Sequence, residues 1–492
     1  MEEIAIEQEV SNPQLAILES TSQINLFLAG MGSGKTYLGG IISRNLIADF
    51  PLVRGFIGAN TYDQLNTSTL FRIREYWKSV GITEWSRENP GGIYVSSKEP
   101  PTEWKKCERN FDRFNNIISF INGALIFIGS LDNAVAHSGK EFGWAILDET
   151  KDSREEDVKE IILTRLRQPG IFLKNGQIIN RGEQSEQWNP LYILTSPAKV
   201  QWINEWFGLG DYAQEITNKI YSHSEFFEKV INGRKVVISS TYHNVMNVGE
   251  NYIQSMLDNN SEDRGKSIVY GNPFTSTGGE FYTSFNRLVH VDEVPVLDNY
   301  AVHISYDFNV VPYITLLLWQ FVDVGNKKQA RCFKEYCLAS PHNTTEDITI
   351  RAMRDYDKYM MNGLFYYGDA TGKARDTRSN YHNYDIVQRV LRHYLNNYSD
   401  RVPAKNPLVL TRRDFINALL ESKHDVQILI DKDCKNLITD MEFVKEDQEG
   451  RKMKEMATDT ITKQRYEKYG HCSDSLDYVL VEYFKAIFDK LY

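Results

Sequence analysis

The stretch Leu28-Ala29-Gly30-Met31-Gly32-Ser33-Gly34-Lys35-Thr36, which closes the apolar run Ile24 to Leu28, constrains this chain more than any other feature. A loop of small residues leaving a buried strand turns its backbone N–H groups inward around a phosphate and opens a helix whose N-terminus faces the same anion. Gly30, Gly32, Ser33 and Gly34 would form the cradle. Lys35 would reach the β- and γ-phosphates, and the Thr36 hydroxyl would hold Mg²⁺. Ala29 stands where such loops usually begin with glycine, and alanine is the smallest side chain that can replace it there. The expected ligand is a nucleoside triphosphate such as ATP.

A hydrolase of this kind needs a second buried strand ending in carboxylates. Phe142-Gly143-Trp144-Ala145-Ile146-Leu147-Asp148-Glu149 has that form. Asp148 would hold the Mg²⁺ and Glu149 would polarise the attacking water. A glutamate directly after the aspartate favours hydrolysis over transfer to a small acceptor, because a kinase aims its base at the acceptor instead. The expected class is a motor-type ATPase.

At 492 residues the chain is too long for a single core, so two domains are expected. No apolar run reaches the roughly 20 residues of a membrane span, and the acidic start (Glu2, Glu3, Glu7, Glu9) is unlike a signal peptide. A soluble intracellular protein without membrane partners is expected. Five cysteines without a Cys-x-x-Cys pair suggest neither a disulfide framework nor a zinc site. A net charge of −10 argues against tight autonomous DNA binding unless a local basic channel or a ring of subunits overrides it.

Along the first half, strands alternate with helices: a strand at Phe56 to Ala59, a helix over Gln64 to Trp77, a hairpin around Asn122-Gly123, a strand at Leu191 to Leu194. That order predicts an α/β fold with a mainly parallel sheet. Polar stretches at Glu88 to Pro101 and Asn175 to Asn189 read as surface insertions. The pattern changes near His290, dividing the chain into 1–290 and 291–492. The second part reads strand (Val302 to Asp307), strand (Tyr313 to Phe321), strand (Ala330 to Cys337), helix (Thr345 to Tyr359), strand (Leu364 to Tyr367), then helices at Asp385 to Tyr394 and Asp474 to Ile487. This is the order of an RNase H-like core.

On that order the acids fall at meaningful places. Asp307 closes the first strand, Asp369 follows the fourth, and Asp474 opens the last helix. In such a fold these positions converge, and carboxylates that converge repel one another until divalent cations bind. Two Mg²⁺ or Mn²⁺ ions about 4 Å apart could then hydrolyse a phosphodiester. His471, about one helical turn before Asp474, is a further candidate ligand or proton shuttle.

These motifs together resemble the large terminase subunit of tailed bacteriophages, the motor and nuclease that packages DNA into a procapsid. Asn12-Pro13-Gln14 resembles that family's adenine-contacting motif, which implies Gln14 at the base. Ala29 to Thr36 and Trp144 to Glu149 resemble its two Walker motifs, and Leu194-Thr195-Ser196-Pro197 resembles its γ-phosphate-sensing coupling motif. Ser240 to Asn244 and Tyr270-Gly271-Asn272 resemble segments near the junction of ATPase and nuclease. Tyr367 to Arg375 and His471 to Tyr478 resemble the nuclease motifs, with Asp474 ranked above Asp477 as the metal ligand. The resemblance implies double-stranded DNA, a portal protein and a small terminase subunit as partners, a homo-oligomeric ring on the portal, and a place in the host cell cytoplasm.

Other residues have plainer readings. Arg165 or Arg167 could complete a neighbouring subunit's site but reads first as a solvated or interface face. Glu335, near the end of a strand, could approach the metals. Val481, Phe484 and Phe488 recur at helical spacing and predict core packing. Arg451, Lys452 and Lys454, flanked by Glu446, Asp447, Glu449 and Glu455, read as a solvated loop. The alternatives are a helicase-like ATPase with an inactive appendage, or a nucleotide-dependent assembly protein whose C-terminal acids are structural.

Overall fold

A computed structural model describes residues 9–107, 111, 113–174, 177–179, 186–197, 200–275, 278–373, 382–458 and 465–492. The chain divides into two compact units, Met1–Thr277 and Gly278–Tyr492. The division precedes His290 because Phe281 and Tyr282 belong to the second core, with Phe281 N–H donating to Val444 O at 2.9 Å. No helix among the described residues is long and apolar enough to cross a membrane.

The first unit is built on a nine-stranded sheet. Its strands are β1 (Ile24–Ala29), β2 (Arg54–Ala59), β3 (Tyr94–Ser96), β4 (Ile117–Phe120), β5 (Leu125–Ser130) and β6 (Trp144–Asp148). A separate small sheet follows, of β7 (Phe172–Lys174), β8 (Gln177–Ile179) and β9 (Glu186–Gln187). Then β10 (Leu191–Thr195), β11 (Phe227–Ile231) and β12 (Arg234–Ser239) complete the large one, in the order β11-β12-β1-β10-β6-β2-β5-β4-β3. Strands β12, β1, β10, β6, β2 and β5 are parallel neighbours. Covered on both faces, they are apolar at their centres, as with Leu26, Ile57, Ile146 and Ile193, all fully buried.

Register places the site. Leu28 of β1 faces Thr195 of β10, and Leu194 faces Asp148 of β6, so the C-terminal ends of β1, β10 and β6 lie side by side. The expected hairpin forms as β4 and β5, with Gly123 at φ +84° in its turn. Two expectations change. The polar stretch at 88–101 contains β3, whose Tyr94 and Val95 are buried at the sheet edge, and the described part of 175–189 contains β8, β9 and the buried Trp188. Both carry apolar residues that need cover despite their polar flanks.

The second unit has a seven-stranded sheet. It comprises β13 (Val291–Asp292), β14 (Val302–Asp307), β15 (Ile314–Val324), β16 (Lys327–Leu338), β17 (Leu364–Gly368), β18 (Ser399–Asp400) and β19 (Val426–Asp431). The order is β13-β19-β16-β15-β14-β17-β18, with β14, β15 and β16 antiparallel and β17 parallel to β14. This is the RNase H-like arrangement that the element order predicts, extended at one edge by β19 and β13. Helices Thr345–Met360 and Asn383–Tyr394 form as expected, and the C-terminal helix breaks at Phe484 into His471–Tyr483 and Lys485–Leu491. The Val481, Phe484 and Phe488 stripe is buried. A small hairpin, β20 (Met456–Thr458) with β21 (Arg465–Glu467), precedes the helix His471–Tyr483.

Candidate functional site

The first site is built where β1, β10 and β6 end. Gly34 holds a left-handed conformation, φ +80°, and hands the chain to the helix Lys35–Asp49. Gly30 admits no side chain: a Cβ would lie 2.3 Å from Val269 O and 2.4 Å from Thr241 Oγ1. The loop is braced from outside. Gly30 N–H donates to Ser239 O, Thr241 Oγ1 to Met31 O at 2.7 Å, and Asn244 Nδ2 to Gly32 O at 2.6 Å. The segment at 240–244 therefore buttresses the phosphate loop itself.

Lys35 Nζ lies 3.1 Å from both Ala29 O and Gly30 O and 3.9 Å from Glu149 Oε1. Burial lowers its pKa, against the opposing charges of Glu149 and Asp148. Asp148 Oδ2 accepts the hydroxyls of Thr36 at 3.2 Å and Thr69 at 2.7 Å, while the buried Oδ1 has no partner. Burial and the neighbouring Glu149 raise Asp148 to about 6. The Thr36 hydroxyl and the Asp148 carboxylate, one oxygen of it without a partner, are hard donors that fit Mg²⁺, whose charge would screen the phosphates of a bound nucleotide.

Thr69 escapes sequence reasoning because it reaches Asp148 through a π-helical turn, Leu65–Thr69, inside the expected helix. Glu149 sits at φ 50°, ψ 47°, a strained left-handed conformation of the kind found at working sites. Its carboxylate accepts Ser196 N–H at 3.1 Å and Ser196 Oγ at 2.5 Å. The group that would polarise water is thus tied to the end of β10. Lys35, Thr36, Glu149, Ser196 and Asn244 line one cleft of about 740 Å³. Gln14 lies against the loop: its Nε2 donates to Ser33 O at 3.4 Å and Gly34 O at 3.2 Å, and its Oε1 accepts Ser11 N–H. Its amide braces the loop.

The second site lies at one end of the RNase H-like sheet. Tyr306 of β14 faces Gly368 of β17, so Asp307 and Asp369 leave adjacent strands at the same level. The helix His471–Tyr483 is fixed across β14 by two reciprocal bonds, Ser305 Oγ to Ser475 O at 2.6 Å and Ser475 Oγ to Ser305 O at 2.7 Å. That places Asp474 near the end of β14, where its charge acts on Asp307. Burial raises the Tyr478 phenol, and the charges of Asp474, Asp369 and Asp307 all raise it further, so one side chain feels all three carboxylates.

His471 Nδ1 is 3.1 Å from Asp307 Oδ2. Burial pulls the imidazole down, but the hydrogen bond and charge of Asp307 outweigh it and carry it up to about 9. Burial raises Asp307 despite His471, and the charge of Asp474 adds to the rise. Asp369 accepts Thr371 N–H at 2.9 Å and Thr371 Oγ1 at 2.5 Å, and Asn406 Nδ2 also donates to it. Asp307, Asp369 and Asp474 offer hard oxygen donors of the kind that hold Mg²⁺ or Mn²⁺, which would activate water and steady a leaving oxygen, although among the described residues their ligand atoms do not gather within 4.8 Å of one another as those of Glu335, Cys337 and Cys472 do. His471, protonated beside Asp307 and with Nε2 donating to Glu467 O at 2.9 Å, is no ligand in this state. Of the nuclease segment Tyr367 to Arg375, residues 374 and 375 lie outside the described residues.

One expectation from the sequence is revised here. Lys452 is no solvated charge: it is 13% exposed and pairs with Asp474 at 2.7 Å and Asp477 at 2.9 Å, because its loop folds back onto the last helix. Asp477 is fully buried and accepts Tyr282 O–H at 2.8 Å, a structural position. Glu335 accepts Asn436 N–H, Asn436 Nδ2 and Leu437 N–H, capping the helix Lys435–Phe443, and one of its oxygens lies within 4.8 Å of the Cys337 and Cys472 sulfurs. Arg167 forms a surface pair with Glu141 at 3.2 Å.

No family model matches the sequence, and no curated protein matches it. Solved structures do. The large terminase from a thermophilic bacteriophage aligns at 13% identity over 96% of this chain and 99% of that one, with a TM-score of 0.38. The large terminase ATPase domain of Thermus phage P74-26 aligns at 14% identity over 54% of this chain and 94% of its own, TM-score 0.34. The large terminase nuclease domain of bacteriophage SPP1, with bound Mn, aligns at 14% identity over 38% and 92%, TM-score 0.25.

Proposed function

We propose that this chain is the motor and nuclease of a viral DNA-packaging machine. The observation that supports the reading is that each of the two units carries its own set of acidic and polar side chains suited to phosphate chemistry: Lys35, Thr36, Asp148, Glu149 and Ser196 on one, and Asp307, Asp369, Asp474 and His471 on the other. The first would hydrolyse ATP with Mg²⁺. Ser196 would couple it to motion, since whatever moves the end of β10 moves the carboxylate that polarises water. The second would cut phosphodiesters with Mg²⁺ or Mn²⁺. The sequence motifs that resemble large terminase subunits supply the biological frame. Double-stranded DNA is gripped by its phosphates and driven into a procapsid by a ring of copies docked on a portal protein in the host cytoplasm, with a small terminase subunit recognising the DNA.

The test is a pair of assays on one variant. Asp369→Ala should abolish Mn²⁺-dependent plasmid cleavage and leave DNA-stimulated ATP hydrolysis within about twofold of wild type, because its carboxylate serves only the second site. Joint loss of both activities in folded protein would refute two independent sites.

A further inference from the structure

The geometry points to a third site, separate from the two above, in which Glu335, Cys337 and Cys472 hold one thiophilic divalent cation of the class of Zn²⁺ and so clamp β16 to the helix His471–Tyr483.

Among the described residues, one group of three His, Cys, Asp or Glu ligand atoms gathers within 4.8 Å, and it is Cys337 Sγ, Cys472 Sγ and an oxygen of Glu335. The two sulfurs lie 3.5 Å apart. A disulfide would need about 2.05 Å, whereas two sulfurs on one tetrahedral zinc, each about 2.3 Å from it, stand about 3.8 Å apart. The pair is set near the second spacing and far from the first. Two thiols in contact could also be plain core packing, and it is the carboxylate beside them that makes a donor set. Sulfur selects zinc and its soft neighbours, while Mg²⁺ takes oxygen, so this group does not compete with the acids at the end of the sheet.

Each donor is fixed by a regular element. Glu335 and Cys337 are two residues apart on β16, opposite Leu317 and Thr315 of β15, and therefore lie on one face of the sheet. The Glu335 carboxylate accepts Asn436 N–H, Asn436 Nδ2 and Leu437 N–H, each at 2.9 Å. That uses three of its roughly four acceptor positions and leaves one for an ion. Hydrogen bonds of this kind are what orient a ligating carboxylate. The same helix, Lys435–Phe443, also fixes the buried sulfur's backbone: Asp440 accepts Gly470 N–H and Ser473 N–H, both at 3.0 Å, on either side of Cys472. Cys472 is buried, and Glu335 and Cys337 are half-buried, so an ion would enter from their side and a water could fill its fourth position. The cysteines are 135 residues apart, which is why no Cys-x-x-Cys pair marks the site in the sequence.

The experiment measures Zn²⁺ retention and Co²⁺ absorption on the full chain, reduced and kept from oxygen, in excess Mg²⁺ to fill sites made of oxygen alone. Wild type should carry one Zn²⁺ per chain through gel filtration, and Co²⁺ in its place should give the near-ultraviolet sulfur-to-cobalt charge-transfer band that oxygen ligands do not produce. Cys337→Ser and Cys472→Ala, at the half-buried and the buried sulfur, should each weaken Zn²⁺ binding by more than about 100-fold, beyond the loss of a supporting hydrogen bond, and abolish the band. Cys332→Ala, which removes a cysteine outside the group, should keep both. Zn²⁺ should raise the melting temperature of wild type and of neither ligand variant, and the same melts report whether each variant folds. Absence of Zn²⁺ and of the band in reduced wild type would overturn the proposal, as would a band that survives in either folded ligand variant. A Cys337–Cys472 disulfide in the purified protein, with no Zn²⁺ uptake after reduction, would also overturn it and make the pair a redox couple.

Discussion

Glu149 is placed by β6, strained by its own backbone and held by Ser196, and each of these serves the carboxylate and not the carbon skeleton. Glu149→Gln should therefore leave nucleotide affinity near wild type and lower turnover by roughly 10²-fold or more, the scale of a lost general base. Equilibrium binding and steady-state hydrolysis measured on the same preparation check this. Unimpaired turnover would remove Glu149 from the mechanism. The two neighbouring aspartates of the last helix separate in the same manner. Asp474, partly exposed at the acid cluster, should abolish cleavage as Asn with little change in melting temperature. Asp477, sealed beneath Lys452 and Tyr282, should as Asn cost roughly 1–3 kcal/mol of stability, since a buried partner loses its charge. Thermal melts beside plasmid nicking distinguish them. Residues whose chemistry lies in contiguous motifs, from Gly30 to Thr36 or from His471 to Asp474, were legible in the sequence. Thr69 and Lys452 were not, because a π-helical turn and a returning loop deliver them.

Strands are where sequence and structure agree best, because a strand buried on both faces, such as β6 or β15, must be apolar throughout and is hard to mistake. Elements at the margins were harder. The half-exposed alternation of β19, buried at Val426, Ile428 and Ile430, is a weak strand signal between two helices, although it extends the sheet beyond β16. At this scale the core of the second unit carries an acid-sensitive group. His303 of β14 stacks on Phe365 at 4.7 Å, meets the Tyr367 hydroxyl at 2.8 Å, and is driven by burial down to about 3. The unfolded chain therefore binds a proton that the folded one refuses, so stability is full above an unfolded pKa of about 6.5 and falls as pH drops toward 3. Between pH 6.5 and 5, where ordinary carboxylates are still ionised, this one group should remove roughly 2 kcal/mol. Denaturant melts of wild type and His303→Gln across that window should converge as pH falls, and parallel curves would show that His303 titrates normally in the folded state.

Two units with separate cores make separate demands on a truncation. The sequence places the division at His290, where the strand pattern begins. Phe281 and Tyr282 lie before it, fully or almost fully buried in the second core, and Tyr282 also closes the web around Asp477. A fragment beginning at Gly278 should therefore fold alone and nick or linearise plasmid DNA with Mn²⁺ or Mg²⁺ and no ATP, since every candidate nuclease ligand lies within it. It should show little sequence preference, because phosphate contacts carry no base identity. A fragment beginning at Val291 loses both aromatic side chains, and filling neither cavity should cost roughly 3–5 kcal/mol for each. Its melting temperature should fall steeply and its cleavage should fall with it. Equal stability of the two fragments would show that the segment before Val291 is dispensable to the second core. A well-folded Gly278 fragment inert with both metals at high concentration would withdraw the nuclease assignment and leave the chain an ATPase with an RNase H-like appendage.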